Sequence, residues 1–377
     1  MIRVAYLTQA PFISGAERSL QTLLRYAHRV EIEPVLVCPS GSALLAWGRQ
    51  HDLQVVECPL PVRDKWRAVQ WWSGVRKLHQ VFQRHRVDLV HANQVWCFQA
   101  AAHAAGRLRL PRVCHLRDEV DAATVDWWMG DDVDLAIAIS RHIERQFRAV
   151  WQSPTNAPVQ TLINPVECPP RPSSQQASTL RCEARHKLDL DNQRFAFGFI
   201  GQIVPVKGLA LLLEALSALA SDCRWQLVVA GRDPRPHGDH VAECRALAER
   251  FQIADRVYFV GFLDQPDDFY QAIDLAVVPS LEEPLGRIPL EAAAHGKPSI
   301  AFAAGGLPET IVDGVTGTLV PVGDVPALRR AVARSIDCGS HSDQGDAAWR
   351  HVREIAGPDA YVRRLAGLYQ TLLNRGE

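Results

Sequence analysis

The residue types best suited to chemistry lie between positions 279 and 320, where two glutamates flank a loop and the start of a helix. Gly286 predicts the loop, and residues 287–295 predict a helix. The N–H groups of Gly286, Arg287 and Ile288 would then begin that helix. Such groups attract phosphate oxygens through hydrogen bonds and the helix dipole. The segment therefore predicts a phosphate-binding helix N-terminus.

Glu283 and Glu291 are the two glutamates, one before the predicted helix and one inside it. Eight residues of continuous helix span roughly 12 Å, whereas the carboxyl pair of a retaining glycosidase stands about 5 Å apart. The two carboxylates are thus expected to serve different ends of one ligand. A carboxylate accepts two hydroxyl protons in a fork, which suits the vicinal diol of a sugar or a ribose. Taken alone, the pair also fits a helix cap at Glu283 and an ordinary surface position at Glu291.

Short aliphatic or β-branched runs alternate with helical patterns along the chain, which predicts parallel sheets covered by helices on both faces. The pattern is interrupted after Asn164 by a proline-rich stretch followed by polar serines and glutamines, which is typical of a linker, and then restarts. We expect one domain over residues 1–170, a linker over 171–194, a second domain over 195–345 and C-terminal helices over 346–377 that return toward the first domain. Two such domains facing each other would leave a ligand cleft at the carboxyl ends of both sheets.

Around the two glutamates the sequence resembles the retaining glycosyltransferases of family four. The resemblance rests on Glu283 and Glu291 with seven residues between them, on the Gly305–Glu309 turn and on the Asp313–Gly317 loop. It implies the α/β GT-B fold, in which two facing Rossmann-like, doubly wound parallel-sheet domains enclose an interdomain cleft. It also implies that residues 195–345 bind a nucleotide-sugar donor and that the first domain lies on the acceptor side.

The activity implied by this resemblance is transfer of a sugar from a nucleotide diphosphate sugar to an acceptor hydroxyl, with the anomeric configuration retained. The acceptor would be a glycan or a lipid-linked molecule, and the product would belong to glycan, polysaccharide or glycolipid synthesis. Neither a metal ion nor a cofactor is expected besides the donor itself.

A second match to the family covers Ile200–Gly208. In the family this place usually reads Gly-Arg followed by Lys-Gly, and the Arg and Lys neutralise the donor's diphosphate. Gly201, Lys207 and Gly208 are present here, whereas Gln202 stands where Arg is usual. A glutamine side chain can still donate a hydrogen bond, but it brings no positive charge.

Carried over residue by residue, the resemblance assigns Glu283 to the hydroxyls of the donor sugar and Glu291 to the ribose. The donor-binding residues so implied are Gly15, Gly201, Gln202, Lys207, Glu283, Leu285, Gly286, Arg287 and Glu291. The catalytic residues so implied are His115, Glu283 and Lys207.

The first half of the chain matches the family at fewer positions. Gly15, in the turn over residues 14–18, resembles the family's glycine-rich loop and would let the backbone approach the donor closely. Ser14 replaces the first of two usual glycines there. His115 falls at a strand end where the family often places a histidine beside the donor sugar, to bond a hydroxyl and stabilise positive charge on the ring. Residues 117–119 either line the same cleft or are surface charges.

A basic, tryptophan-containing segment covers residues 62–86. Spacing close to helical predicts that six apolar side chains face the core, namely Trp66, Val69, Trp72, Val75, Leu78 and Phe82. The side chains predicted to face outward are Arg67, Trp71, Arg76, Lys77, Gln80 and Arg84. An exposed tryptophan among cations suits a phospholipid surface. The segment is therefore either a solvated helix face or a place for peripheral membrane contact or an anionic lipid-linked acceptor.

Composition argues against several other classes. With 41 Lys plus Arg and 42 Asp plus Glu, the formal charge of -1 gives no field that would gather nucleic acid. Nine scattered cysteines without a CxxC pair fit neither a disulfide framework nor a zinc site. The Asp-x-Asp strings at 132–134 and 189–191 are interpreted as surface charge rather than metal ligands.

The cysteine pattern favours a reducing cytoplasm. The amino terminus predicts a first strand rather than a signal peptide. No apolar run reaches the roughly 18 residues that span a bilayer. We therefore expect a cytoplasmic protein, with peripheral attachment to the inner face of the cell membrane as an option.

Two rival functions stay open. A nucleotide-sugar epimerase or hydrolase of the same fold would convert or release the donor without an added acceptor. A catalytically inactive sugar-nucleotide-binding protein is the second rival, because Gln202 and Ser14 depart from the family's usual residues. A Rossmann dehydrogenase is disfavoured, because GxGxxG is absent after the first predicted strand.

Overall fold

A computed structural model describes residues 1–63, 67–129, 132–151, 157–219, 223–235, 238–338 and 341–374. The chain forms two compact units. Unit 1 comprises Met1–Val166 together with Ala356–Glu377, and unit 2 comprises Glu167–Ile355.

Unit 1 is built on a seven-stranded sheet in which every pairing is parallel, in the order β3-β2-β1-β4-β5-β6-β7. The strands are β1 (Ile2–Leu7), β2 (Ile32–Cys38), β3 (Gln54–Glu57), β4 (Leu89–Ala92), β5 (Arg112–Leu116), β6 (Leu135–Ala138) and β7 (Val159–Thr161). The helices between them are α1 (Gly15–Tyr26), α2 (Ala43–Gln50), α3 (Ala68–Arg84), α4 (Val95–Gly106), α5 (Ala122–Trp128) and α6 (Arg141–Val150). Strands β4 and β6 are buried along their whole length, as expected for a parallel sheet covered on both faces.

Unit 2 repeats the plan with a six-stranded parallel sheet in the order β10-β9-β8-β11-β12-β13. The strands are β8 (Phe195–Gln202), β9 (Trp225–Arg232), β10 (Val257–Gly261), β11 (Leu275–Val278), β12 (Ser299–Phe302) and β13 (Gly317–Val320). The helices are α7 (Ser174–Lys187), α8 (Leu209–Ser217), α9 (His240–Arg250), α10 (Asp267–Ala272), α11 (Arg287–Ala294), α12 (Leu307–Thr310), α13 (Val325–Cys338) and α14 (Ser342–Ala356). The strand order reverses between β8 and β11, and open α/β sheets bind ligands beyond the carboxyl ends of the strands at such a switch point.

The C-terminal helix α15 (Pro358–Asn374) belongs to unit 1 although it follows unit 2 in the chain. Tyr369 of this helix is fully buried. Its hydroxyl lies 3.2 Å from the hydroxyl of Tyr6 and 2.5 Å from Nδ1 of His91. Arg29 pairs with Asp359 at 2.8 Å. The last helix therefore completes the core of the first unit.

The segment expected to be a linker, residues 171–194, is instead a folded part of unit 2. It contains helix α7, whose first turn is capped by the Ser173 hydroxyl. The Arg185 side chain is fully buried; it donates to the carbonyl of Ala272 at 2.8 Å and to Asp274 Oδ2 at 2.7 Å. The polar composition of this segment was misleading, because an arginine anchors the helix where an apolar side chain usually would.

The buried face of α3 differs from the predicted one. Trp71, predicted to face outward, is only 4% exposed, whereas Val69 is 84% and Trp72 49% exposed. Three residues of an α-helix turn by about 300°, which is about 60° short of a full turn. Side chains spaced by three residues therefore move progressively around the helix and cannot all face the core. The buried side chains instead follow steps of four and three residues and are Trp71, Val75, Leu78 and Phe82. Trp66 lies outside the described residues.

No helix among the described residues is long and apolar enough to cross a membrane. The eight cysteines whose side chains are described are all free.

Candidate functional site

The switch point of unit 2 brings together the loops that follow β8 and β11. The backbone N–H of Leu281 donates to the carbonyl of Val206 at 2.8 Å. Gly208 has a φ of 72°, and a Cβ there would lie 1.9 Å from the carbonyl oxygen of Pro279. The close contact of the two loops therefore requires glycine at this position.

Lys207 and Glu283 are in direct contact at this point. The Nζ atom donates to Oε2 at 2.7 Å, and both side chains are partly buried. The structure thus joins two residues that sequence analysis had placed in separate motifs, 76 positions apart.

A glycine turn after β12 fixes the backbone of Glu283. The Gly306 N–H donates to the Glu283 carbonyl at 2.8 Å. A Cβ at Gly305, whose φ is 54°, would lie 2.0 Å from that same carbonyl oxygen. These two glycines explain why the Gly305–Glu309 turn accompanies the acidic loop in the sequence.

Helix α11 begins immediately after this loop, as predicted. Gly286 adopts a left-handed conformation with φ of 95°, and a Cβ there would lie 2.7 Å from Cδ2 of Leu307. Leu285 before it is buried. The N–H groups of a first helical turn have no acceptor within the helix. The structure thus has a helix N-terminus where the sequence predicted one, and anion binding there stays a prediction.

Glu291 lies inside α11 and has its own partners. Its Oε2 accepts from the Tyr270 hydroxyl at 2.7 Å, and its Oε1 accepts from Nε of Arg287 at 2.6 Å. Tyr270 is fully buried on α10 and stacks on His295, with ring centroids 5.0 Å apart. Glu283 and Glu291 therefore share no partner among these contacts, consistent with separate roles. Sequence analysis missed Tyr270, because only the fold brings α10 beside α11.

Gly201 and Gln202 form the end of β8, and the Gln202 side chain is exposed there. Gly201 has a φ of 142°. Its neighbour in the sheet is the Gly231–Arg232 end of β9.

Gly15 begins helix α1, directly after Ser14. The Ser14 N–H donates to Glu17 Oε2 at 3.1 Å, and the Ser14 hydroxyl also bonds this carboxylate. Glu17 is fully buried and accepts from the Thr8 hydroxyl at 3.3 Å. The buried glutamate therefore fixes the turn that presents Gly15 at the start of the helix.

His115 lies near the end of β5, as predicted, but its side chain is fully buried. Its Nδ1 lies 3.3 Å from Nε2 of His91. Burial lowers the pKa of His115 well below its usual range, and Arg117 and His91 reinforce the effect. The ring is therefore neutral at physiological pH. Contact with a donor sugar would require this ring to be uncovered, so its catalytic role stays a prediction.

Arg117, two residues further on, is held by asparagines of unit 1. It donates to the carbonyl of Asn93 at 2.7 Å, to the Asn93 side chain at 2.6 Å and to Asn164 Oδ1 at 2.9 Å. Asp118 and Glu119 are exposed, and Glu119 accepts from Nε2 of His142 at 2.7 Å. Arg117 thus has a structural role that its sequence position did not reveal.

A separate cavity of about 780 Å³ lies in unit 1. Among the described residues its lining combines three cations with two tryptophans and includes no acidic side chain; these lining residues include Arg63, Arg67, Lys77, Trp71 and Trp127. The Arg63 guanidinium lies 5.2 Å from the centroid of the Trp127 ring.

Three of the four aspartates in the Asp-x-Asp strings form ion pairs with neighbouring arginines. Asp132 and Asp134 both pair with Arg112, each at 2.9 Å, and Asp191 pairs with Arg194 at 3.3 Å. Within the described parts of the chain, no group of three or more His, Cys, Asp or Glu is arranged to hold a metal ion.

Two Rossmann-like, doubly wound units, with glycine turns around a switch point in the second, are typical of the GT-B class of protein. The GT-B fold predicted from the sequence is confirmed by solved structures. That of Anabaena HepE in complex with UDP and glucose matches with a TM-score of 0.82 at 22% identity, over 98% of this chain and all of that one. A sucrose-phosphate synthase from Thermosynechococcus elongatus matches with a TM-score of 0.78 at 20% identity, with both chains fully covered.

Two family models match most of the chain between them. The model described as glycosyl transferases group 1 matches residues 181–349, and the model described as glycosyltransferase family 4 matches residues 13–168. The chain therefore belongs to the glycosyltransferases of group 1 and family 4, as its motifs indicated.

Curated relatives agree with this membership. The lipopolysaccharide core biosynthesis mannosyltransferase LpsB of Rhizobium meliloti is 34% identical over 161 residues, 42% of this chain and 46% of that protein. A D-inositol 3-phosphate glycosyltransferase of Catenulispora acidiphila is 36% identical over 201 residues, 49% of this chain and 47% of that protein. The match to each spans about half the relative's length. A D-inositol 3-phosphate glycosyltransferase of Geodermatophilus obscurus is 29% identical over 89% of this chain and 74% of that protein.

Proposed function

We propose that this protein is a retaining glycosyltransferase that transfers a sugar from a nucleoside diphosphate sugar to an acceptor hydroxyl, in glycan, polysaccharide or glycolipid synthesis. The observation that carries the proposal is the contact between Lys207 and Glu283, made beside the N-terminus of α11 at the switch point. A cation, a carboxylate and a helix start in one place suit a ligand that joins a phosphate to a polyol.

The donor's diphosphate binds at Lys207 and at the first turn of α11. When the bond to the sugar breaks, negative charge develops on the leaving diphosphate. Preorganised hydrogen-bond donors stabilise this charge, and each lowers the activation barrier by about 2.7 to 4 kcal/mol. These groups do so without a metal ion, and the paired Asp-x-Asp strings lend no metal ligands to the reaction.

The Glu283 carboxylate accepts hydrogen bonds from hydroxyl groups of the donor sugar, and the Glu291 carboxylate accepts them from hydroxyl groups of the ribose. Tyr270 and Arg287 hold the Glu291 carboxylate in place through two hydrogen bonds. Hydrogen bonds to charged groups contribute about 1.5 to 3 kcal/mol each. Both carboxylates are already bonded to cations, so neither is well suited to attack the sugar as a nucleophile. A front-face path, in which the leaving phosphate oxygen takes the acceptor's proton, accounts for retention without such a nucleophile.

The acceptor binds to unit 1, and the cavity lined by Arg63, Lys77 and Trp127 is suited to an acceptor with an anionic group and an apolar part. The same face, with Val69 and Trp72 exposed on α3, is proposed to contact the membrane surface peripherally. A relative named for D-inositol 3-phosphate supports an anionic group on the acceptor, and a relative named for lipopolysaccharide core biosynthesis supports a glycolipid acceptor.

The proposal is tested in two stages. UDP-, GDP- and ADP-sugars are first screened for thermal stabilisation, expected at about 2.7 kcal/mol when a ligand is 100-fold above its dissociation constant. Release of nucleoside diphosphate from the stabilising donor is then measured with and without lipid-linked and free glycan acceptors. Release that depends on an acceptor supports transfer. Release without one would indicate a hydrolase, conversion of the sugar would indicate an epimerase, and binding without turnover would indicate a sugar-nucleotide-binding protein.

A further inference from the structure

The charges at the switch point of unit 2 cancel in pairs. Lys207 is neutralised by Glu283 at 2.7 Å, and Arg287 by Glu291 at 2.6 Å. A nucleoside diphosphate sugar carries an ionised oxygen on each phosphate. A ligand of this kind therefore calls for a further cation whose charge is not already paired.

The end of strand β9 supplies a cation next to Gln202. Gln202 and Arg232 are register partners on β8 and β9, as are Gly201 and Gly231. Register partners on adjacent parallel strands project from the same face of the sheet. The Ile203 N–H donates to the Arg232 carbonyl at 2.9 Å, so the alignment continues past the strands.

Two glycines bring these strand ends close together. Gly201 and Gly231 have φ values of 142° and 136°. A Cβ at Gly231 would lie 1.8 Å from the Gly201 carbonyl oxygen. The backbone can therefore pack this closely only without a side chain at position 231, and Gln202 and Arg232 leave the sheet side by side at its carboxyl edge.

An aromatic ring orients the guanidinium of Arg232. Its Cζ lies 4.8 Å from the ring centroid of Phe262, which follows Gly261 at the end of β10. Glycine followed by a side chain at the carboxyl edge thus recurs at 201, 231 and 261, on three adjacent strands. A phenylalanine ring carries no oxygen or nitrogen acceptor, so this contact leaves the N–H donors of the guanidinium available to a ligand. Across the described part of the chain, no carboxylate forms an ion pair with Arg232.

We propose that Arg232, together with Gln202, binds the diphosphate of the donor and supplies the positive charge that the two ion pairs at the switch point do not. This inference rests on the proposed function. Arginine is suited to the task because its fork of N–H donors matches phosphate oxygens, whereas the Gln202 amide donates without charge.

The test compares nucleotides that differ in one phosphate. Dissociation constants of the full chain for UDP, GDP, ADP, UMP, GMP and AMP are measured by calorimetry. Arg232→Gln is expected to weaken the better-bound diphosphate at least about tenfold and the matching monophosphate clearly less. Adding Gln202→Arg to that variant is expected to restore most of the lost diphosphate affinity, because the new guanidinium would occupy the adjacent register position.

Arg245→Gln is the matched control. Arg245 makes the same kind of contact, with Cζ 4.3 Å from the ring centroid of Phe259 on β10, but it does so from helix α9. Its loss is expected to leave both affinities unchanged. Arg232→Lys keeps the charge without the fork and is expected to lie between the wild type and Arg232→Gln, which separates a binding defect from misfolding.

Several outcomes would overturn the inference. Unchanged diphosphate affinity in Arg232→Gln, or an equal loss for diphosphate and monophosphate, would place the guanidinium elsewhere than on the diphosphate. These results leave the proposed function standing as long as the wild type binds a diphosphate. A wild type that binds none of the six nucleotides would overturn both.

Discussion

At the scale of single residues, the contact between Lys207 and Glu283 places a group suited to phosphate beside a group suited to sugar hydroxyls. The carboxylate holds the ammonium group beside the start of α11 and still has acceptor capacity for hydroxyl groups. The side chains keep 26% and 16% exposure, so a ligand can reach both. We expect such a contact to contribute little to the free energy of unfolding and much to the binding of a charged ligand.

Lys207→Ala tests this division. The variant is expected to lower kcat/KM by about 100- to 1000-fold, because one preorganised donor to the leaving group is lost. Its free energy of unfolding is expected to change by about 1 kcal/mol or less, since the pair is partly exposed. Initial rates of nucleoside diphosphate release and urea unfolding measure the two quantities.

Lys187→Ala is the control for that experiment. Lys187 pairs with Asp268 at 2.9 Å in the same unit, with both side chains about half exposed. Its removal is expected to leave kcat/KM within about threefold of the wild type. Equal losses in the two lysine variants would refute the assignment of Lys207 to the leaving group.

Local motifs allowed the residues of this site to be found from the sequence, but their partners could not be found that way. Glu283, Gly286 and Glu291 are adjacent in the chain, so one segment defines them. Tyr270 reaches Glu291 only because α10 packs beside α11. The position of His115 at a strand end was predicted, but the burial of its side chain was not. Burial at a strand end depends on which elements pack over it, and the local sequence does not specify them.

At the scale of elements, glycines decide how closely the loops of unit 2 approach each other. A Cβ added at Gly208 or at Gly305 would lie about 2 Å from a carbonyl oxygen of the loop after β11. That loop carries Glu283. The position of the carboxylate is therefore set by backbone contacts on both of its sides.

Gly208→Ala is expected to displace this loop. The new Cβ would lie 1.9 Å from the Pro279 carbonyl oxygen, in addition to the cost of a left-handed φ of 72°. The left-handed conformation alone costs about 1 to 2 kcal/mol. We expect a larger loss of stability than that, together with a raised KM for the donor.

Gly314→Ala separates the two contributions. Gly314 has a nearly identical φ of 75°, but a Cβ there meets nothing within 4 Å. This variant is expected to lose only the conformational part and to keep its KM. Urea unfolding and donor titration of both variants make the comparison, and equal effects would show that the Pro279 contact does not matter.

The elements themselves were predictable where the pattern was regular. Alternating apolar runs and helical patterns indicated two parallel α/β sheets, and both are present. The errors have physical causes. A buried arginine, Arg185, anchors a helix whose polar composition suggested a linker, and a three-residue spacing in α3 resembled a helical face while rotating away from it.

At the scale of the whole molecule, we expect the two units to differ in how strongly they respond to acid. Unit 1 holds His91 and His115 fully buried, and burial lowers the pKa of His91 to about 3. The unfolded chain binds protons at both imidazoles below a pH of about 6.5. The folded unit does not, so the two histidines have no effect above that pH and destabilise unit 1 increasingly as the pH falls toward 3.

The expected slope is about 1.4 kcal/mol per pH unit for each of these histidines. Hydrogen exchange, corrected for the intrinsic pH dependence, can measure it separately in peptides from β4 and β5 of unit 1 and from β8 and β9 of unit 2. Between pH 6.5 and 4.5, protection is expected to fall faster in the unit 1 peptides.

His91→Gln removes one of the two titrating groups and should reduce the slope in β4 and β5, whatever its effect on stability at neutral pH. His28→Gln, at an exposed position of the same unit, should leave the slope as it is. The comparison uses slopes rather than absolute protection, so a general weakening of the core by the His91 variant does not obscure it. Parallel loss of protection in both units, or an unchanged slope in His91→Gln, would mean that groups other than these imidazoles govern the acid response.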